Sequence, residues 1–388
     1  MTTQHLRPIF GVIAIFWAAL SSNAGAQSGL WSVNTKTTTS PDTESFWLPP
    51  HGVDVPMYHA NDHGDCPVVE VMVNGHGPYR FAVETGAGFS AISPDVVKAA
   101  GLSDNVIADS ISIGSAQLRH FAMTQEESPV KGLAGFLGLD AFQDLLLTVD
   151  FPHSRVRLER GTLPAANGRD VLPIYPTLGS LIGFDIQVAN KRVSALLDTQ
   201  SDAIFNEPLG MVDTLAFVKP PVVVGSANGP SIGDNTGIEG RLKGDIRVGD
   251  LTFDRPVIFI AAGFPKWLVG AGALRYFVLT LDQRHSLVRF TQSQQTHVAA
   301  PPPLRMIGWG MSVHDGNRVV EKILPGGEAE LKGVQLGDVI VSVNGHPAGA
   351  IDDSTFLTLS HGNKPLQIVA RRGTETRKFT LIPRTVIP

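Results

Sequence analysis

Apolar positions in this chain come in short alternating or continuous runs broken by Gly, Asn and Pro, which predicts many short β-strands. Val68 to Val73 and Tyr79 to Val83 are two such runs, and Asn74-Gly75-His76-Gly77 between them predicts a hairpin. Ser93-Pro94-Asp95 offers an N-cap, a first-turn proline and an acid, predicting a short helix that stops at Gly101. Ile111 to Gly114 and Leu118 to Met123 predict a further strand pair.

The second half repeats this order, and such a repeat decides a fold. Phe184 to Val188 and Val193 to Leu197 lead into Asp198, as the earlier pair leads into Glu84. Ile246-Arg247-Val248-Gly249 matches Ile111-Ser112-Ile113-Gly114, and Gly138 to Leu158 aligns without a gap to Gly270 to Phe290. Two homologous β-lobes are therefore expected, over residues 49–161 and 172–292, with a turn-rich join at Thr162 to Gly168. At equivalent points stand Glu84-Thr85-Gly86-Ala87-Gly88 and Asp198-Thr199-Gln200-Ser201-Asp202, each after an apolar pair.

The 388 residues leave room for two or three domains, and 40 Gly with 27 Pro agree with a turn-rich β protein. A net charge of -5 without a long charge run argues against a nucleic-acid partner. Arg7, the apolar run Ile9 to Leu20 and Ala24-Gly25-Ala26 read as a signal peptide over residues 1–26. The protein is thus expected to be exported, periplasmic or secreted, and to meet a membrane only through an uncleaved signal. Residues 27–48 read as a flexible leader, and residues 293–303, ending in three prolines, as a semi-rigid linker.

Cys66 is the one cysteine, so no intramolecular disulfide forms, and Pro67 beside it points to a structural role. His51, His59, Asp62, His63, Asp65 and Cys66 are dense in donors, but their spacing fits no finger or zincin pattern. No metal and no cofactor is expected. No Gly-x-Ser-x-Gly elbow or phosphate loop is present, and Trp267 and Trp309 read as packing residues.

The strand, the acid-Thr-Gly turn and the later Phe136-Leu137-Gly138 and Leu268-Val269-Gly270 resemble the retropepsin-like aspartyl protease family of exported bacterial proteins. The resemblance covers roughly residues 50 to 292. It implies a mainly β, bilobal pepsin/retropepsin-like acid-protease fold, with Glu84 and Asp198 as the catalytic dyad. It also implies that Thr85 and Thr199 tie the two turns together, and that Gly86 and Gln200 line the substrate floor. Such a pair shares one proton, the general behaviour of aspartic proteases. Glu84 stands where the family has Asp, and Gln200 where it has Gly. The stretch from Asp198 to Gly249 is far longer than that from Glu84 to Gly114. Val222 to Gly240, with Gly229 and Gly233, reads as a flap over a substrate groove.

From Leu304 the chain resembles an α+β PDZ domain of the kind attached to exported bacterial proteases. The matching runs are Val319 to Ala329 and Gly333 to Gly345, with a closing hairpin around Gly373, over residues 304–388. Ile307-Gly308-Trp309-Gly310-Met311 resembles the carboxylate loop, so Gly308, Trp309, Gly310 and Met311 are implied to bind a C-terminal peptide ligand. Two readings follow. One is an endopeptidase acting on polypeptide substrates through a Glu/Asp dyad. The other is a catalytically inactive homologue that serves as a peptide-binding adaptor.

Overall fold

A computed structural model describes residues 46–59, 65–103, 105–127, 132–177, 181–227, 235–261, 266–292 and 295–388. The signal segment, nearly all of the leader, Gly229 and Gly233 lie outside the described residues. Among the described residues no helix is long and apolar enough to cross a membrane.

The strand Pro67–Val73 buries every side chain except Glu70 and Met72, and pairs antiparallel with His76–Val83. The connection is tighter than the expected four-residue loop. Asn74 and Gly75, at φ +48° and +78°, turn the chain in two residues, and His76 to Pro78 join the strand. Positive φ at both positions matches the right-handed twist of the strands, which is why Asn-Gly suits this place. The helix Pro94–Ala99 forms where expected, but its entry is closed by the Ser93 carbonyl and not by the Ser93 side chain.

The repeat becomes two lobes, each with its own curled sheet, joined by a shared six-stranded sheet. Leu146–Asp150 of lobe one pairs antiparallel with Phe277–Asp282 of lobe two at the centre of that shared sheet. Arg155–Glu159 and Val53–Pro56 extend it on one side, Leu287–Gln292 and Val171–Pro173 on the other. Thr148 lies opposite Thr280, with the two hydroxyl oxygens 3.0 Å apart, so these residues mark a two-fold relation between the lobes. The repeated Asp-His pairs are also reproduced, Asp150 with His153 and Asp282 with His285. One apolar core runs through both lobes, with Phe184, Phe277 and Phe290 stacked edge to face or tilted within 5.3 Å.

Val222–Ala227 and Asn235–Arg241 pair as an antiparallel hairpin at the margin of the lobe-two sheet, as the long insert predicts. Its second strand lies on Val257–Ala261, which in turn borders Phe205–Pro208. The base of this hairpin holds unusual groups. Glu207 is wholly buried, neither carboxyl oxygen has a hydrogen-bond partner among the described residues, and burial pushes it up to about 8. Burial likewise pushes Glu239 up to about 7.

The PDZ unit has a separate core around Ile307, Val320, Phe356 and Ile368. The expected semi-rigid linker is also attached to lobe two. Within residues 293–303, His297–Val298 pairs parallel with Leu251–Phe253 of lobe two. Arg241, the last residue of the strand Asn235–Arg241 and 5% exposed, donates to the carbonyls of Pro301 at 2.6 Å, Pro302 at 3.0 Å and Arg255 at 3.2 Å. It also reaches the Pro388 carbonyl oxygen. A buried guanidinium needs several acceptors, and backbone carbonyls freed by proline-rich chain supply them. Leu304–Met306 and Arg384–Ile387 pair just beyond this clasp.

Candidate active site

Both acidic turns leave strands held in parallel by the later apolar-apolar-Gly segments. His76–Val83 runs beside Gly135–Leu137, and the Glu84 N–H donates to the Leu137 carbonyl at 2.9 Å. Lys191–Asp198 runs beside Trp267–Gly270 in the same sense. Gly138 and Gly270 allow the crossing. A methyl on either would come within 2.2 Å of a backbone oxygen from the facing turn.

The two turns lock to each other through Thr85 and Thr199, as the resemblance implies. The Thr85 N–H donates to Thr199 Oγ1 at 3.0 Å, and the Thr199 N–H to Thr85 Oγ1 at 3.1 Å. Each hydroxyl then donates across the interface, Thr85 to the Leu197 carbonyl at 3.0 Å and Thr199 to the Val83 carbonyl at 2.5 Å. Both threonines are fully buried, so every one of these groups is satisfied only by the opposite lobe.

This grip brings Glu84 and Asp198 together, each 3% exposed and hydrogen-bonded to the other. Their surroundings differ. Asp198 Oδ1 accepts two backbone N–H groups, from Gln200 at 2.9 Å and Ser201 at 3.0 Å. Glu84 Oε1 accepts one, from Gly86 at 2.7 Å. Burial raises both acids, and the nearby Asp198 charge raises Glu84 further, well above the usual carboxylate range. N–H donors favour the charged form, so this arrangement favours charge on Asp198 and a proton on Glu84.

Gly86 lies directly over the pair. A methyl there would fall 2.7 Å from Asp198 Cγ and 2.7 Å from Glu84 Oε1. At the counterpart position Gln200 carries a real Cβ and is 2% exposed.

Other groups cluster around the pair. Asp202 is pushed up to about 7 by burial and by the charges of Asp65 and Asp198, and its Oδ1 has no hydrogen-bond partner among the described residues. Asp65 pairs with Arg275 of lobe two at 3.1 Å. Cys66 is wholly buried, and burial with the charges of Glu84, Asp202 and Asp198 pushes its thiol well above its usual range. That suppresses the thiolate and agrees with a structural role. Among the described residues no group of His, Cys, Asp and Glu side chains is arranged to hold a metal ion. Trp267 is 1% exposed and packs in the lobe-two core, as expected.

Gly308, Trp309, Gly310 and Met311 lie far along the chain in the PDZ unit, at the entry to the strand Trp309–His314. Gly308 has φ +84°, with Gly327 and Leu324 3.1 Å from where a Cβ would sit. Sequence reasoning missed Phe356 and Ser360, which Trp309 touches, and Arg241, because single polar or aromatic residues in strands and helices carry no pattern.

Two lobes gripping a shared pair of acids, followed by a unit with its own core, agree with an aspartyl protease-like domain and a C-terminal PDZ domain. Residues 69–119 match the family model described as Aspartyl protease, and residues 298–369 match that of the PDZ domain. No curated protein matches the chain. Among solved structures, the chain is similar to basic 7S globulin from soybean at 10% identity, covering 63% of this chain and 96% of that one, with a TM-score of 0.39. It is also similar to the HtrA3 PDZ domain bound to a phage-derived ligand (FGRWV), at 28% identity, 21% and 85% coverage and a TM-score of 0.19. A third is the photosystem II D1 C-terminal processing protease, at 24% identity, 22% and 24% coverage and a TM-score of 0.21.

Proposed function

We propose that this protein is an exported aspartic-type endopeptidase in which Glu84 and Asp198 act on one water, and whose PDZ domain recruits polypeptide chain ends. The observation that carries the reading is the buried, mutually hydrogen-bonded acid pair held by the reciprocal threonine grip. The Asp198 carboxylate takes a proton from the water as its oxygen attacks the peptide carbonyl. Glu84 gives its proton to the carbonyl oxygen, forming a neutral diol. Collapse of the diol breaks the C–N bond. Asp198 passes its proton to the leaving nitrogen, and a diol hydroxyl returns one to Glu84. Water is added across the peptide, and both acids end as they began.

This cycle needs one proton on the pair. On the acid side, activity falls as Asp198 is protonated; on the alkaline side, it falls as Glu84 loses its proton. Both acids are raised, so the active window is expected above the ordinary carboxylate range of about 4. Cleavage of a peptide library by mature protein across pH 3 to 9 tests this. An optimum below about 3.5 would contradict the raised pair.

A non-catalytic reading is favoured by one observation, the buried Gln200 side chain in place of Gly at the floor. Peptide capture without turnover at any pH would establish that reading instead. Export is tested by the N-terminus of protein recovered outside the cytoplasm, expected at Gln27.

The raised carboxyls also set a stability prediction. Asp202 and Glu239 at about 7, and Glu207 at about 8, keep protons in the folded state that the unfolded chain releases near 4. Their contribution is full below the unfolded value and is lost as pH rises through 7 and 8. The melting temperature is expected to fall between pH 5 and 8, with a shallower slope in Glu207→Gln. Parallel slopes for the two proteins would remove Glu207 from this account.

A further inference from the structure

The recruiting surface shows an unusual closure. The strand Trp309–His314 is the first of its sheet, paired on one side with Asn317–Ile323 and with no strand on the other among the described residues. Such an edge accepts an added strand. The loop before it is fixed from within: the Ile307 and Gly308 carbonyls accept the N–H groups of Ala329 and Leu324, each at 2.9 Å. With those carbonyls committed inward, the loop is held in one conformation ahead of the edge strand.

The last side chain of an added strand would point between this edge and the helix Asp353–Ser360. Trp309 already spans that gap. Its ring stacks on Phe356 with centroids 6.0 Å apart and planes 23° from parallel, and its Nε1–H donates to Ser360 Oγ at 3.4 Å. Phe356 does not yield easily. The Arg318 guanidinium lies 4.7 Å from its ring centre and is itself tied to the Ala348 carbonyl at 3.2 Å and the Ile351 carbonyl at 2.5 Å. Phe356 and Ser360 are both nearly buried, so the contact is packed on its helix side.

We infer that Trp309 is a bolt across the PDZ groove, and that the site takes polypeptide ends whose last residue is small: Gly, Ala or Ser. This rests on the recruitment reading above. A Phe, Leu or Val end must swing the indole away from Phe356 and Ser360. Losing one aromatic stack and one hydrogen bond corresponds to about a tenfold or greater loss in affinity. The selection comes from volume already filled, and not from a charge or a special donor. Trp309 is thus a specificity-determining residue for the recruiting site.

The test uses the full chain and fluorescence polarisation with labelled decapeptides that differ only in the last residue. Wild-type protein is expected to bind the Ala end at least tenfold more tightly than the Phe end. Trp309→Ala is expected to level or reverse that order by tightening the Phe end, and Trp309→Phe, which keeps an aromatic stack, to fall between. Amidation of the Ala-ended peptide is expected to abolish its binding. Equal wild-type affinity for Ala and Phe ends, or an unchanged order in both variants, would overturn the bolt while leaving recruitment standing. Binding indifferent to amidation, or no binding of any end by any variant of unchanged circular dichroism, would instead overturn the recruitment reading.

Discussion

Asp198→Asn is expected to lower peptide hydrolysis by about 10²- to 10⁴-fold, the range for losing a positioned general base. Asn keeps the shape and removes the charge that draws the proton from water. Its amide would also turn one acceptor of the Gln200 and Ser201 N–H groups into a donor unless the side chain flips. Glu84→Gln is expected to cost a similar factor for a different reason, because a Gln amide cannot pass a proton to the carbonyl oxygen. The double variant should be little worse than either single one, since the two groups work as a unit. Steady-state rates with unchanged melting temperature are the measurement. A residual rate near wild type in both single variants would assign any cleavage to other residues.

The second large effect is on folding. Thr199→Val removes the oxygen that accepts the Thr85 N–H and donates to the Val83 carbonyl. Both partners are backbone groups buried between lobes, so neither regains water. At about 1–3 kcal/mol for each unsatisfied group, the cost is about 4 kcal/mol, or roughly 10 °C in melting temperature. Thr199→Ser restores the oxygen and should recover most of that loss. Calorimetry of the two variants separates lost hydrogen bonds from lost packing, because Ser removes only the methyl. If Val melts with the wild type and Ser melts lower, the grip contributes through its methyl contacts.

Much of this architecture is legible in the sequence because the repeat aligns element by element. Thr148 and Thr280 fall at matched positions in the chain and meet on the axis. The same matching places the acid-Thr pairs. The hairpin reads as a four-residue loop because a strand period does not reveal where pairing stops, whereas backbone φ at Asn74 and Gly75 does. The linker reads as a spacer because proline-rich composition describes stiffness and not attachment. Only the fold shows that Arg241 collects the carbonyls of Pro301 and Pro302. Gln200 on its own looks like damage to a motif; only the fold shows its side chain buried and its N–H donating to Asp198.

The pairing of Leu146–Asp150 with Phe277–Asp282 has a consequence for how the acids can differ. A site built from two copies of one chain must carry the same residue on both sides of its axis. Any change made to one acid is then made to its partner. Joining the halves in a single chain removes that constraint, so Glu can stand on one side and Asp on the other. It also makes assembly of the pair independent of concentration: dilution that would dissociate a dimer leaves these lobes joined. Glu84 and Asp198, two unlike acids at equivalent points of two joined halves, are a pair that only such a molecule can carry.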